Sequence, residues 1–358
     1  MELKYKPDLD RAKTYWNAFW DREIIDRPCV HVMAPKDETM QKERPPHPPY
    51  MAGYDGQYEK ALWAFDEWAA STYFGGEAVP FFDISFGPDQ FSAFLGADLI
   101  MMAEREKTSW VKPFVTDWKK VEINLDTKDG SAWNRMLEYM RTAARFSEGK
   151  FLIGMLDLHS NMDSLSAIRG PEALCTDLIE RPDEVERVLE EVRALYAPVY
   201  EGIYEAGGMG RRGTLGWTPF YCEGRFATVQ CDFICMISPQ HARRFVIPAL
   251  SEEASFLDHS VYHYDGPAAL VHLDDILAIS EIDVIQWVPG AGSPPLIEWM
   301  DLLKRIQRAK KGLQIYGCSP EEVKVFHKEL RPEGVLYCVG ASSRWEADDL
   351  ISWLKKNT

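Results

Sequence analysis

The chain has 358 residues, 46% of them hydrophobic and 12% aromatic, and carries a formal charge of -16. That acidity excludes nucleic acid and anionic membrane surfaces, which call for a basic footprint, and leaves neutral, cationic or protein partners. The length allows two ordinary domains, but α/β barrels commonly occupy it as one, and the 12 Trp can both fill a core and line a pocket.

The N-terminus, MELKYKPDLDRAK, has no apolar run of the signal-peptide kind. An amphipathic helix is expected from Leu9 to Arg22, broken by Asp26-Arg27-Pro28 ahead of a first strand, Cys29 to Met33. Prolines 45, 46, 48 and 49 keep the segment Glu43 to Tyr50 out of regular structure, so it reads as a lid or an ordered surface loop. A second apolar run spans Pro80 to Phe86 and ends in Gly87-Pro88. Trp110 to Leu125 looks like an insertion with short strands, and a helix follows from Ser131 to Phe146.

Beyond Lys150 the alternation becomes regular. A strand from Phe151 to Leu158 precedes helices near Gly170 to Glu180 and Pro182 to Ala206, the second ended by Gly207-Gly208. Strands are expected near Thr214 to Trp217 and Gln230 to Ile234, then a helix opened by Ser238-Pro239-Gln240, then a strand carrying Val261-Tyr-His263-Tyr-Asp265. Val284 to Val288, Leu313 to Tyr316 and Val335 to Val339 complete the strand candidates. Short apolar strands, each followed by a helix, are the pattern of a parallel sheet buried on both faces. Roughly eight such units predict an α/β fold of the (β/α)8 TIM-barrel type, with an N-terminal extension and insertions, as one domain over 1–358. An open doubly wound sheet is the alternative, weakened by the lack of a Gly-rich dinucleotide or phosphate loop.

The seven cysteines, odd in number and without paired spacing, suit reduced thiols in a cytoplasmic protein. Cys231 and Cys235 are the nearest pair and read as small buried hydrophobes. No apolar stretch reaches the roughly 18 residues of a membrane span.

In such a barrel, chemistry sits where strands end, which collects a set of polar candidates. His263 and Asp265 alternate along one strand and share a face, so an imidazole and a carboxylate could hold a metal or move a proton. Asp265 could instead bond the amides of the turn at Gly266. Asp157 and His159 show the same spacing and could share a proton, or could form a capped polar loop. Tyr221, Glu223 and Arg225 follow Gly216-Trp217; Arg225 could clamp a carboxylate or pair with a surface acid. Asp232 is flanked by Cys231 and Phe233, and Trp287 closes its own run. Cys338, before Gly340, would add a thiolate to His263 and Asp265 and leave one tetrahedral position for a substrate, as catalytic zinc requires.

Several motifs fall in the order of one family. They are Asp26-Arg27-Pro28, Phe86-Gly87-Pro88 with Leu95-Gly96-Ala97, Gln230-Cys231-Asp232-Phe233 leading to Ile237-Ser238-Pro239, His263-Tyr-Asp265-Gly266 and Leu336-Tyr-Cys338-Val-Gly340. The chain resembles the uroporphyrinogen decarboxylase-like superfamily, which includes cobalamin-dependent methyltransferases. That branch carries His-x-Cys-Gly and a later cysteine on zinc; His263 and Cys338 match, while Asp265 stands in place of the first cysteine. The resemblance implies methyl transfer between a small substrate and a corrinoid on a separate protein, with a metal at His263, Asp265 and Cys338. Asp157, His159 or Glu223 would manage the proton, and Tyr221, Arg225, Asp232 and Trp287 would bind substrate. The porphyrinogen decarboxylase uses arginines beside the first strand that Cys29-Val-His-Val-Met-Ala-Pro-Lys36 lacks. A metal-free decarboxylase and a non-catalytic binding protein are the remaining readings.

Overall fold

The computed structural model describes residues 2–37, 43–102 and 108–358. Its strands are β1 (Cys29–Pro35), β2 (Thr72–Gly76), β3 (Phe81–Phe82), β4 (Leu99–Met102), β5 (Thr108–Val111), β6 (Leu152–Ile153), β7 (Phe226–Val229), β8 (His259–Asp265), β9 (Val284–Val288), β10 (Gly312–Cys318) and β11 (Val335–Gly340). The central sheet has seven strands in the order β2-β1-β11-β10-β9-β8-β7. All its pairings are parallel except that of β1 with β2. β3 and β6 form a separate parallel pair, and β4 and β5 an antiparallel hairpin. Among the described residues, no helix is long and apolar enough to cross a membrane.

Strand periodicity divides the sheet into two faces. Tyr262, Tyr264, Ile285, Trp287, Leu313 and Ile315 belong to the large cluster that packs strands against helices. The alternate residues Cys29, Phe226, Val261, Val284 and Leu336 form a second cluster with Leu152. Helix α1 (Leu9–Trp20) closes this inner cluster at the strands' N-terminal end, inserting Leu9, Trp16 and Phe19 from one face. Two residues further along the same face the sheet turns polar: His31 after Cys29, His263 after Val261, Gln286 after Val284 and Cys338 after Leu336. The apolar layer and its helical plug leave the C-terminal ends of the strands as the place where polar side chains gather.

The sequence-based expectation of a closed TIM barrel is met only as an α/β fold with a parallel sheet, because the ladder does not close among the described residues. On one edge β1 pairs with the antiparallel β2, whose ladder the bond from Glu77 N–H to Val30 O extends, and no ladder joins β1 to β3 among the described residues. β6 reaches toward β7 only through the segment 214–216, where Met155 bridges Gly216. Other differences are local. The strand expected at Gln230 to Ile234 is a 3-10 helix, Asp232–Met236, and the strand before it, β7, begins just after Arg225. The run expected as a strand at Thr214 to Trp217 makes isolated bridges, one of them folding back on Cys222. Of the insertion expected from Trp110 to Leu125, only Trp110 and Val111 are strand, as the end of the β4–β5 hairpin, and the rest holds a 3-10 turn at Trp118–Lys120; the hairpin docks where Gly87 has φ +104 and a Cβ would meet Ser109 Oγ. The long helix Pro182–Ala206 matches its start and stop signals.

Asp26-Arg27-Pro28 also acquires a physical role. Arg27 and Glu77 are buried and paired in two-pronged fashion, Nη1 to Oε2 at 2.6 Å and Nη2 to Oε1 at 2.8 Å. Glu77 Oε2 also accepts from Val30 N–H at 2.9 Å, so the pair locks the entry of β1.

Candidate functional site

A cavity of about 290 Å³ opens where the inner face of the sheet turns polar. Asp83, Asp157, His159, Gln230 and His263 line it, with Trp217, Ser85 and Tyr50 forming walls. Each arrives from a strand end or the loop beyond it. Asp83 and Ser85 alternate with Phe81 after β3, Gln230 follows β7, and His263 lies on β8. Tyr50 comes from the proline-rich segment, and its Oη accepts from Ser85 Oγ at 3.0 Å. The segment expected as a lid or an ordered surface loop thus reaches the cavity through Tyr50.

His159 is the electrostatic centre. Its Nε2 lies 3.2 Å from Asp157 Oδ2, and its Nδ1 lies 3.6 Å from Asp163 Oδ2 and 3.9 Å from Asp232 Oδ2. Burial works against charge on this ring, but Asp157 and Asp163 outweigh it and raise its pKa well above the ordinary histidine range. Asp83 shifts by a different cause: burial first, then the charge of Asp157, push it up to about 7. A carboxyl whose pKa is near neutrality thus shares the cavity with the paired Asp157 and His159, an arrangement suited to holding and passing a proton.

His263 is oriented by a neighbouring strand. Its Nδ1 lies 2.5 Å from Gln286 Oε1, its register partner on β9. The amide oxygen can only accept, so Nδ1 donates, and in the neutral ring Nε2 is the nitrogen that carries the lone pair for a base or ligand. Trp217 packs edge-on against the ring, with centroids 5.0 Å apart.

Among the described residues, Asp232, His263 and Asp265 can bring ligand atoms within 4.8 Å of one another. Cys338 is not in that set. Its Sγ accepts from Gln314 Nε2 at 3.3 Å, and burial pushes the thiol up to about 12. The N, O, S set expected from sequence therefore does not fit the arrangement, because Cys338 lies three strands away from β8. Aspartate, histidine and aspartate form a harder donor set that fits a divalent cation.

Other expectations change because the strand boundaries moved. Tyr221, Glu223 and Arg225 precede β7, so they sit at the opposite end of the sheet from the cavity. Tyr221 is buried against the α1 plug and donates to Arg212 O at 3.1 Å. Glu223 pairs with Lys13 at 3.1 Å, and Arg225 with Glu201 at 2.7 Å. Among the described residues no arginine or lysine lines the cavity, and Arg225, at the other end of the sheet, does not supply the carboxylate clamp expected of it. Trp287 faces the helix layer, its ring 5.7 Å from Tyr264 and 5.0 Å from Trp299. Asp232 is half exposed and lines a second, outer cavity of about 380 Å³ that shares His159 with the inner one and has Trp110, Phe233 and Met236 in its wall.

Sequence reasoning missed Asp83, Gln230, Gln286 and Trp217. The signal for Asp83 lay in Phe81-Phe-Asp83-Ile-Ser85, whose polar residues alternate. Gln286 sat in the middle of an apolar run, and only the pairing of β8 with β9 reveals its role.

Neither a family model nor a curated protein matches the sequence. Among solved structures, the fold is similar to that of a methyltransferase from Methanosarcina mazei. The TM-score is 0.61 at 15% identity, over 96% of this chain and 98% of the other. The likeness is one of fold, and it extends along nearly the whole of both chains.

Proposed function

We propose that this protein is a methyltransferase of the uroporphyrinogen decarboxylase-like superfamily, moving a methyl group between a small substrate and a corrinoid carried by a separate protein. In this reading the parallel sheet and the β3–β6 pair are the two arcs of one (β/α)8 barrel, and the cavity is its active mouth. The observation that carries it is His263: an imidazole fixed by Gln286 with Nε2 available, at the cavity, between two carboxylates that can join it. The similarity of fold to a methyltransferase over nearly the full chain agrees with it.

Asp232, His263 and Asp265 are the residues that would hold zinc or another divalent cation. Bound there, the ion would act as a Lewis acid on the substrate's heteroatom. Asp157 and His159 form a fixed ion pair that keeps a charge buried beside the substrate. Asp83, near neutrality, takes or returns the substrate proton. Tyr50 and Trp217 cover the cavity and exclude water from it.

The test is spectroscopic. Purified protein is mixed with methylcob(III)alamin and a panel of thiols and alcohols, and in reverse with cob(I)alamin and methyl ethers, while the corrinoid spectrum is followed. Demethylation or methylation that is lost in His263→Ala supports the reading; a His263→Ala protein with full turnover sinks it.

A further inference from the structure

The three groups that can meet a cation are not held alike. His263 and Asp265 stand on β8, whose ladder with β9 fixes them opposite Gln286 and Val288. Asp232 instead opens the short 3-10 segment Asp232–Met236 beyond β7, and its side chain is half exposed. We infer that Asp163 is the positioning residue that fixes Asp232 beside His263, by gripping the backbone that carries it. This role rests on reading Asp232 as a cation ligand, and one arm of its test needs no cation.

The start of a 3-10 segment leaves its first N–H groups without partners inside the segment. Cys231, the residue ahead, makes no side-chain cap bond. Asp163 supplies both acceptors from 69 positions away: Asp232 N–H donates to its Oδ2 at 3.0 Å, and Phe233 N–H to its Oδ1 at 2.8 Å. Bonds within the segment are longer, Ile234 N–H to Cys231 O at 3.4 Å and Ile237 N–H to Ile234 O at 3.3 Å. The two-pronged contact is therefore the tighter restraint on the segment's start.

Asp163 is itself anchored. It lies in the first turn of the helix Asn161–Arg169 and is buried. Asn161 is fully buried with φ +49, a left-handed conformation that asparagine tolerates. Its Nδ2 donates to Gln230 O at 3.1 Å and to Glu253 Oε1 at 3.2 Å. Asn161 and Asp163 thus tie one helix start to the backbone at residues 230, 232 and 233, just where β7 has ended. Phe233 and Ile234 are buried and keep the segment attached without the carboxyl group; what Asp163 adds is the placement of its first residue.

Two measurements on the full-length protein test this role. Hydrogen exchange without metal reads the grip itself: Asp163→Ala should speed exchange of the Asp232 and Phe233 amides about tenfold or more and leave those of β8 unchanged. Equilibrium dialysis against manganese alone reads the consequence. Asp163→Ala should weaken binding about tenfold or more, the usual cost of losing a group that orients a ligand. Asp163→Asn keeps one accepting oxygen and should recover part of that loss. Both variants remove the same charge, so a purely electrostatic effect would make them equal. Arg27→Ala, remote from the cavity, controls for lost stability and should bind manganese as wild type does, with folding of every variant checked by circular dichroism. If the alanine variant fails to fold, Asp163→Asn carries both measurements against wild type. Unchanged exchange at Asp232 and Phe233 overturns the proposal. So do equal manganese affinities in the two Asp163 variants, or an Arg27→Ala loss as large as that of Asp163→Ala. A wild-type protein that takes up no manganese sinks the cation reading alone, and faster exchange in Asp163→Ala then still supports the grip.

Discussion

His263 on β8 and Gln286 on β9 are register partners whose side chains meet, Nδ1 to Oε1, at 2.5 Å. The contact decides which imidazole nitrogen is free. Replacing Gln286 by Leu should lower activity about 10- to 100-fold, the usual cost of losing a partner that orients a histidine. Gln286→Glu should restore much of it, since a carboxylate also accepts from Nδ1, and should move the acid limb of the pH–rate profile upward by favouring the imidazolium. A pH profile unchanged between wild type and Gln286→Glu would argue against this orientation.

The divalent-cation set contrasts two of its ligands, Asp232 and His263, with Cys338. Asp232→Asn and His263→Ala should each weaken zinc or manganese binding at least tenfold in equilibrium dialysis. Cys338→Ala should leave it unchanged, because the thiol faces Gln314 and is not in the ligand set. Loss of the ion in Cys338→Ala would reinstate the sulfur ligand expected from sequence.

Behind the cavity, Glu253 is 2% exposed and accepts from Ser160 Oγ at 2.6 Å and Asn161 Nδ2 at 3.2 Å. Burial pushes its pKa up to about 8 from 4.5, against the opposing pull of these bonds. With the folded value above the unfolded one, this group's contribution is fully present below about pH 4.5 and is lost as pH rises through 8. Glu253→Gln keeps the accepting oxygen and cannot ionise. Melting curves should therefore show the variant gaining on wild type from pH 5 to pH 9, by on the order of a few kcal/mol. A constant difference across that range would count against a raised pKa.

Arg27 and Glu77 form a buried pair at the entry of β1. Removing either partner leaves an uncompensated charge, so Arg27→Ala or Glu77→Ala should cost about 3–5 kcal/mol in denaturant unfolding. The double replacement by apolar residues should recover part of that loss. Single variants within 1 kcal/mol of wild type would show that the pair contributes little.

How much of the site was legible depended on where each residue stood relative to a strand end. His263 and Asp265 were readable because an apolar strand with polar residues two apart declares a face. Asp157 and His159 were readable for the same reason, although regular strand structure stops at Ile153. Tyr221, Glu223 and Arg225 were misplaced because the apolar run at 214–217 resembles a strand, and the residues after it then count as a C-terminal end. The strand is β7, and those residues come before it.

Local chemistry fixed the α/β alternation, the long helix from Pro182 to Ala206 and the polar strand that carries His263, since periodicity and capping act within a few residues. Only the tertiary structure decided which strands became neighbours, and with that the partners of each polar group. Gln286 became the orienting group of His263 through the pairing of β8 with β9. Asp83 reached its raised pKa by being buried near Asp157, 74 positions away along the chain. Cys338 lost its expected place beside Asp265 because β9 and β10 stand between their strands. Ligand sets and shifted pKa values depend on distances of a few ångströms between residues far apart in sequence, and register and packing set those distances.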